Sequence, residues 1–290
     1  MTTTRNPDQA RYRHAEKLVT GEATSDGAGV RLNRVMGTSR LNMLDPFLLL
    51  DEFRSDDKND YIAGFPDHPH RGFETLTYML AGRIRHKDNA GHEGVIEAGD
   101  VQWMTAASGI IHSEMPEQEN GLMWGFQLWI NLPAAEKMQD PGYQEFSADR
   151  IPVETGGEGI RVHVIAGTTS SGSHGPVTGK STQPLFLDIE LADGAHYHEY
   201  FSDNANAFIY VFQGKVLLHS DHSRQEIPAG TLAVLADGNA VHLSAEAESR
   251  CLLLAAEPIN ETVSRGGPFV MNTREEIIQA FEDFNNGRFF

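Results

Sequence analysis

The sequence has one cysteine in 290 residues, Cys251, so no intramolecular disulfide can form. It sits in the apolar run Cys251-Leu-Leu-Leu-Ala-Ala256 and reads as a buried structural thiol, which suits a reducing compartment. Apolar runs are short, and none reaches the ~18 residues from which a membrane-spanning helix is read. The opening Met-Thr-Thr-Thr-Arg-Asn-Pro lacks an apolar signal core, so a cytoplasmic location is expected. Basic residues are few: 23 Lys and Arg stand against 41 Asp and Glu, for a net charge of −18. A nucleic-acid footprint needs clustered Lys and Arg, so direct nucleic-acid binding is not expected. The acidic balance reads as a solubilising surface and leaves room for a protein partner.

What the sequence has instead is short β-rich runs between turns. Residues 1–15 are polar and expected to be irregular. Residues 42–53 read as a buried strand, and Thr75-Leu-Thr-Tyr-Met-Leu80 as a strand stopped by Ala81-Gly82. Arg83-Ile-Arg-His86 reads as its return. Trp124, Phe126, Leu128 and Ile130 recur with period two, the mark of a strand with one apolar face. Residues 132–144 break the pattern, with a short helix expected at 134–138. The same style then resumes in strands at 160–165, 185–191, 207–212, 215–218, 231–235 and 250–256, around a long loop at 167–184. The run Tyr-Val-Phe-Gln-Gly214 … Ile-Pro-Ala-Gly230 parallels Tyr-Met-Leu-Ala-Gly82 … Ile-Glu-Ala-Gly99, an internal repeat of one sheet domain. The class is therefore all-β, with two antiparallel β-barrel domains expected at 1–135 and 145–290. One helix closes the chain. Thr273 and Glu276 have capping-box spacing, Ile277, Phe281 and Phe284 make an apolar face, and Gly287 is the stop.

Chemistry concentrates in two pairs, His68-Pro-His70 and His112-Ser-Glu114. Alternate side chains of a strand share a face, so each pair can point two ligands the same way. Convergence of the pairs would make a metal site. Imidazoles suit Fe, Ni, Cu and Zn, and a carboxylate shifts preference toward harder octahedral ions such as Fe or Mn. Glu74 is also an even number of residues from His68 and His70. On a straight strand it would share their face, so periodicity leaves the carboxylate open between Glu74 and Glu114. Phe73, Trp103, Met104, Phe126 and Trp129 are candidates either to line a pocket or to fill the core.

The spacing His-x-His-x3-Glu, followed by Gly109-Ile-Ile-His112, resembles the two cupin motifs. More narrowly, Gly64-Phe-Pro-Asp-His-Pro-His-Arg-Gly-Phe-Glu-Thr75 and Gly-Ile-Ile-His-Ser-Glu-Met-Pro116 resemble the signature segments of the pirin family, as does Gly267-Pro-Phe-Val-Met-Asn-Thr273. The resemblance implies a bicupin of two jelly-roll (cupin) domains, with one metal site in the N-terminal domain. Carried over by position, His68, His70, His112 and Glu114 are the ligands, and Glu74 is not. The implied cofactor is Fe(II), with other divalent transition metals as alternatives. The implied activity is that of a quercetin 2,3-dioxygenase. Glu114 would take the proton of a flavonol's 3-hydroxyl, and O2-dependent ring cleavage would release carbon monoxide. Similar proteins also act without catalysis, as iron-dependent redox sensors that bind a transcription factor or a metabolic enzyme.

The second domain also carries His196-Tyr-His198 and, later, His242. His196 lies 18 residues before Gly214, against 14 from His68 to Gly82, so the motif is out of step. By resemblance this domain is expected to be metal-free. His86, His92, His163, His174, His219 and His222 have no partner at useful spacing.

Overall fold

The structure, a computed structural model, describes residues 10–221 and 223–289. Residues 1–9 of the expected irregular start, and His222, lie outside the described residues. The chain forms two compact units that interleave along the sequence. One holds residues 22–149 and 259–290, and the other holds residues up to 21 together with 150–258. These divisions differ from the linear boundaries expected at 135 and 145, because both ends of the chain cross over. Near the start, the strand Ala15–Thr20 pairs antiparallel with Thr231–Leu235.

Each unit has a seven-stranded and a four-stranded antiparallel sheet, and the hydrogen-bonded ladders stay open rather than closing into barrels. In the first unit the larger sheet contains Phe73–Ala81 between Val101–Thr105 and Met123–Asn131, with Phe47–Ser55 next along. The smaller sheet runs Phe65–His70, Ile110–Pro116, Ile84–Asp88, Glu93–Ile96. The second unit repeats this plan, its smaller sheet running His196–Tyr200, Ala240–Ala245, Lys215–His219, Arg224–Pro228. The repeat is visible in the turns. Gly82, Gly99, Gly214 and Gly230 all take positive φ, between +68° and +89°, which only glycine adopts without strain.

The cores follow from strand alternation. In the second unit Val162, Leu187, Ile189, Ile209, Val216 and Leu253 are buried in one cluster, each contributing about 1.5–3 kcal/mol. The expected helix at 134–138 is a single 3-10 turn, Ala134–Glu136. The terminal helix is Arg274–Asn285, and its capping box is complete: the Thr273 hydroxyl accepts from the Glu276 N–H, and Glu276 accepts from the Thr273 N–H. It packs Ile277 and Ala280 against Phe269 and Met271 within the first unit, while Phe281 stays 41% exposed.

Candidate metal centre

The two pairs meet because their strands are neighbours. Phe65–His70 pairs antiparallel with Ile110–Pro116, which sets His112 directly opposite His68 and Ile110 opposite His70. The His68 and His112 rings lie 4.4 Å apart, those of His68 and His70 4.7 Å, and those of His70 and His112 5.1 Å. One nitrogen from each of the three lies within 4.8 Å of the other two. His70 and His112 are buried and His68 is half-buried.

Glu114 stands beside this triad rather than in it. The ladder with Phe65–His70 shifts register between His112 and Glu114, so Glu114 pairs with Phe65. Its carboxylate reaches toward the larger sheet. The Thr77 hydroxyl lies 2.9 Å from Oε1 and 2.7 Å from the side-chain oxygen of Gln127, whose amide nitrogen is 3.5 Å from Oε2. Burial pushes the Glu114 carboxyl above its usual range, against the pull of His68 and Thr77.

Glu74 is not in phase with the histidines. The strand that carries them ends at His70, Gly72 turns with φ +87°, and a new strand in the other sheet begins at Phe73. There Glu74 lies on the opposite strand face from Thr77, and its Oε1 accepts from Thr105 at 2.6 Å. The straight-strand assumption fails at one left-handed glycine.

The residues present fit a transition-metal ion. His70 Nδ1 and both ring nitrogens of His112 are buried without a hydrogen-bond partner, an arrangement that costs about 1–3 kcal/mol per group unless something binds there. Burial, and then the neighbouring imidazoles, hold His70 and His112 well below the usual histidine range, so their lone pairs are free at neutral pH. His68 Nδ1 donates to the Pro66 carbonyl at 2.8 Å, which fixes the ring and leaves the Nε2 lone pair available to an ion.

A cavity of about 690 Å³ opens onto this site, with His68, His70, Glu114, Thr77 and Gln127 in its wall. Phe53, Phe65, Leu32 and Trp129 supply apolar surface. Arg34 and Asp51 also line it, joined by two hydrogen bonds of 2.9 and 2.7 Å. Of the aromatics singled out in the sequence, Trp129 lines the cavity, and Phe73 contacts both it and His70, at 4.4 and 5.1 Å between ring centres. Trp103, Met104 and Phe126 are core. Sequence reasoning missed Thr77 and Gln127. It followed the apolar face of 124–130, whereas the cavity is lined by the alternate face, Gln127 and Trp129.

The histidines without a sequence partner behave differently from expectation in one case. His219 joins His196 and His242 in a second group whose ligand atoms lie within 4.8 Å of one another. His86 and His92 contact Glu145 and Asp88, at 2.8 Å each.

Two cupin-type sheet sandwiches, one with a buried histidine triad facing a cavity, define a bicupin that could hold a metal. The comparisons narrow this. The Pirin family profile matches residues 29–130, and the Pirin C-terminal cupin domain matches 186–290. The chain belongs to the pirin family. It is 53% identical to a pirin-like protein of Caulobacter vibrioides, over 94% of this chain and 98% of that one. The crystal structure of quercetin 2,3-dioxygenase from Acinetobacter baumannii is 33% identical, with a TM-score of 0.87 over 96% of this chain and 98% of that chain. The bacterial pirin YhhW of Escherichia coli, solved with nickel(II), shares the fold at 19% identity and a TM-score of 0.65, covering 83% of this chain and 98% of that chain. No helix among the described residues is long and apolar enough to cross a membrane.

Proposed function

We propose that this protein is a metal-dependent dioxygenase that opens the heterocyclic ring of quercetin-type flavonols with O2 and releases carbon monoxide. The observation that carries the reading is the buried triad with unpartnered nitrogens at the wall of an aromatic-lined cavity. Its likeness to the Acinetobacter baumannii quercetin 2,3-dioxygenase supports it. In this reading His68, His70, His112 and Glu114 hold the ion, and Fe(II) is the ion assigned. When bound, the metal supplies Lewis acidity toward substrate oxygen atoms and redox chemistry toward O2.

The chain's own groups do the rest. The cavity volume falls within the 300–1,000 Å³ range typical of small-molecule sites. Phe65 and Trp129 offer flat surfaces for an aromatic substrate. Glu114 accepts the proton of the 3-hydroxyl, and the Thr77 hydroxyl, 2.9 Å from Oε1, positions it. The apolar wall excludes water from the opened site. A cytoplasmic location belongs to the same reading and is supported by the lone, buried cysteine.

The test follows quercetin loss by absorbance, using Fe(II)-loaded protein in air. Wild type consumes the flavonol, and His70→Ala does not. Flavonols left intact by fully loaded wild type would favour the alternative role, a non-enzymatic sensor that binds a protein partner.

A further inference from the structure

The second unit carries four histidines on one face of its smaller sheet. His198 is paired with His242 across Ala240–Ala245, and His242 with His219 on the other side. The three rings therefore lie in one row over adjacent strands, with centroids 4.0 and 4.3 Å apart and planes within 21° of parallel. His196, two residues from His198, shares the face. Its Nδ1 lies 2.9 Å from His242 Nε2, so at most one proton sits between two nitrogens aimed at each other.

This face is opposite to the one used in the first unit. There His68 lines the cavity, and its cross-strand partner His112 joins it in the triad. Here the inward positions belong to Tyr197, Val241, Leu243 and Leu218, which are core. A one-residue change of phase sends a strand's side chains to the other face. The second-unit histidines are accordingly exposed, as is His196, or half-buried, as are His219 and His242.

We infer that His196, His219 and His242 form a second transition-metal site on the outer face of the second domain. The donor set is nitrogen only, which selects Zn(II), Co(II), Ni(II) or Cu(II) over Mg(II) and Ca(II). Three imidazoles leave a fourth tetrahedral position for water or another ligand. Imidazole–zinc bonds of about 2.0–2.1 Å put ligand nitrogens roughly 3.3 Å apart, so the 2.9 Å His196–His242 pair opens only slightly as an ion replaces the shared proton. Neighbours hold the surrounding rings. Ser244 Oγ meets His219 Nε2 at 2.8 Å, and the Tyr12 hydroxyl meets His198 Nδ1 at 3.1 Å.

The experiment titrates chelator-stripped full-length protein with Co(II), reading bound equivalents and the visible absorption of tetrahedral cobalt. His70→Ala, which disables the first triad, should retain one equivalent with that absorption. His70→Ala combined with His196→Ala, at an exposed position where folding is not at stake, should bind at least tenfold more weakly. His70→Ala with His242→Ala should do the same. The inference is overturned if His70→Ala binds no cobalt at micromolar concentration, or if both double variants keep the equivalent. It stands independently of the first site: wild type that binds one ion, lost in His196→Ala and kept in His70→Ala, would support it while removing the metal from the first triad.

Discussion

His68 and His112 are cross-strand partners whose rings sit 4.4 Å apart, although 44 residues separate them in the sequence. Their juxtaposition depends on the pairing of Phe65–His70 with Ile110–Pro116, and removing either ring leaves an incomplete donor set. His112→Ala should lose the first site's metal and lower quercetin turnover at least 100-fold, with native circular dichroism. Metal analysis beside the rate checks this. Full turnover in the variant would contradict the assignment.

The turn at Gly72 separates Glu74 from His68 and His70, whereas Glu114 stands beside the triad. Glu114→Gln keeps the Thr77 and Gln127 contacts in shape but removes the base, so turnover should fall at least tenfold. Glu74→Gln disturbs its bond from Thr105, and should cost about 1 kcal/mol of stability or more while leaving turnover near wild type. Parallel rate and urea-unfolding measurements separate the two. The reverse pattern would make Glu74 the functional carboxylate.

Gly72 itself should be intolerant. At φ +87° an added Cβ would lie 2.0 Å from the Val270 carbonyl oxygen. Gly72→Ala combines a left-handed backbone with a main-chain clash, and should destabilise the first unit by about 3 kcal/mol or more. Thermal unfolding measures this, and an unchanged midpoint would refute it.

Glu145 provides a pH-dependent contribution. His86 at 2.8 Å and the Gln102 amide at 2.6 Å hold its carboxyl below the usual range, with burial opposing them. A carboxylate with a depressed folded pKa stabilises above its unfolded value, and that stabilisation is lost as pH falls through the folded one. Wild type should therefore exceed Glu145→Gln in urea midpoint at pH 7 and 5, and the gap should close below about pH 4.5. A gap independent of pH would refute the electrostatic account.

Much of this architecture was legible in the sequence. Period-two alternation and glycine turns gave the all-β class and the duplication, and the capping box placed the terminal helix. The convergence of His68, His70 and His112 was legible because strand spacing puts alternate residues on one face. Three features were not. Glu74's phase depended on one glycine conformation between two sheets. Gln127 and Thr77 were masked because a cavity-facing strand surface is polar where a core-facing one is apolar. His219 joined His196 and His242 only through cross-strand register, which no local pattern encodes.

The most direct test of the central claim is the gas balance of the Fe(II)-loaded protein with quercetin, O2 and carbon monoxide being measured together. Ring cleavage at the first triad predicts one O2 consumed and one CO released per quercetin lost, with neither change in His70→Ala. Quercetin loss without CO, or an equal balance in His70→Ala, would contradict it.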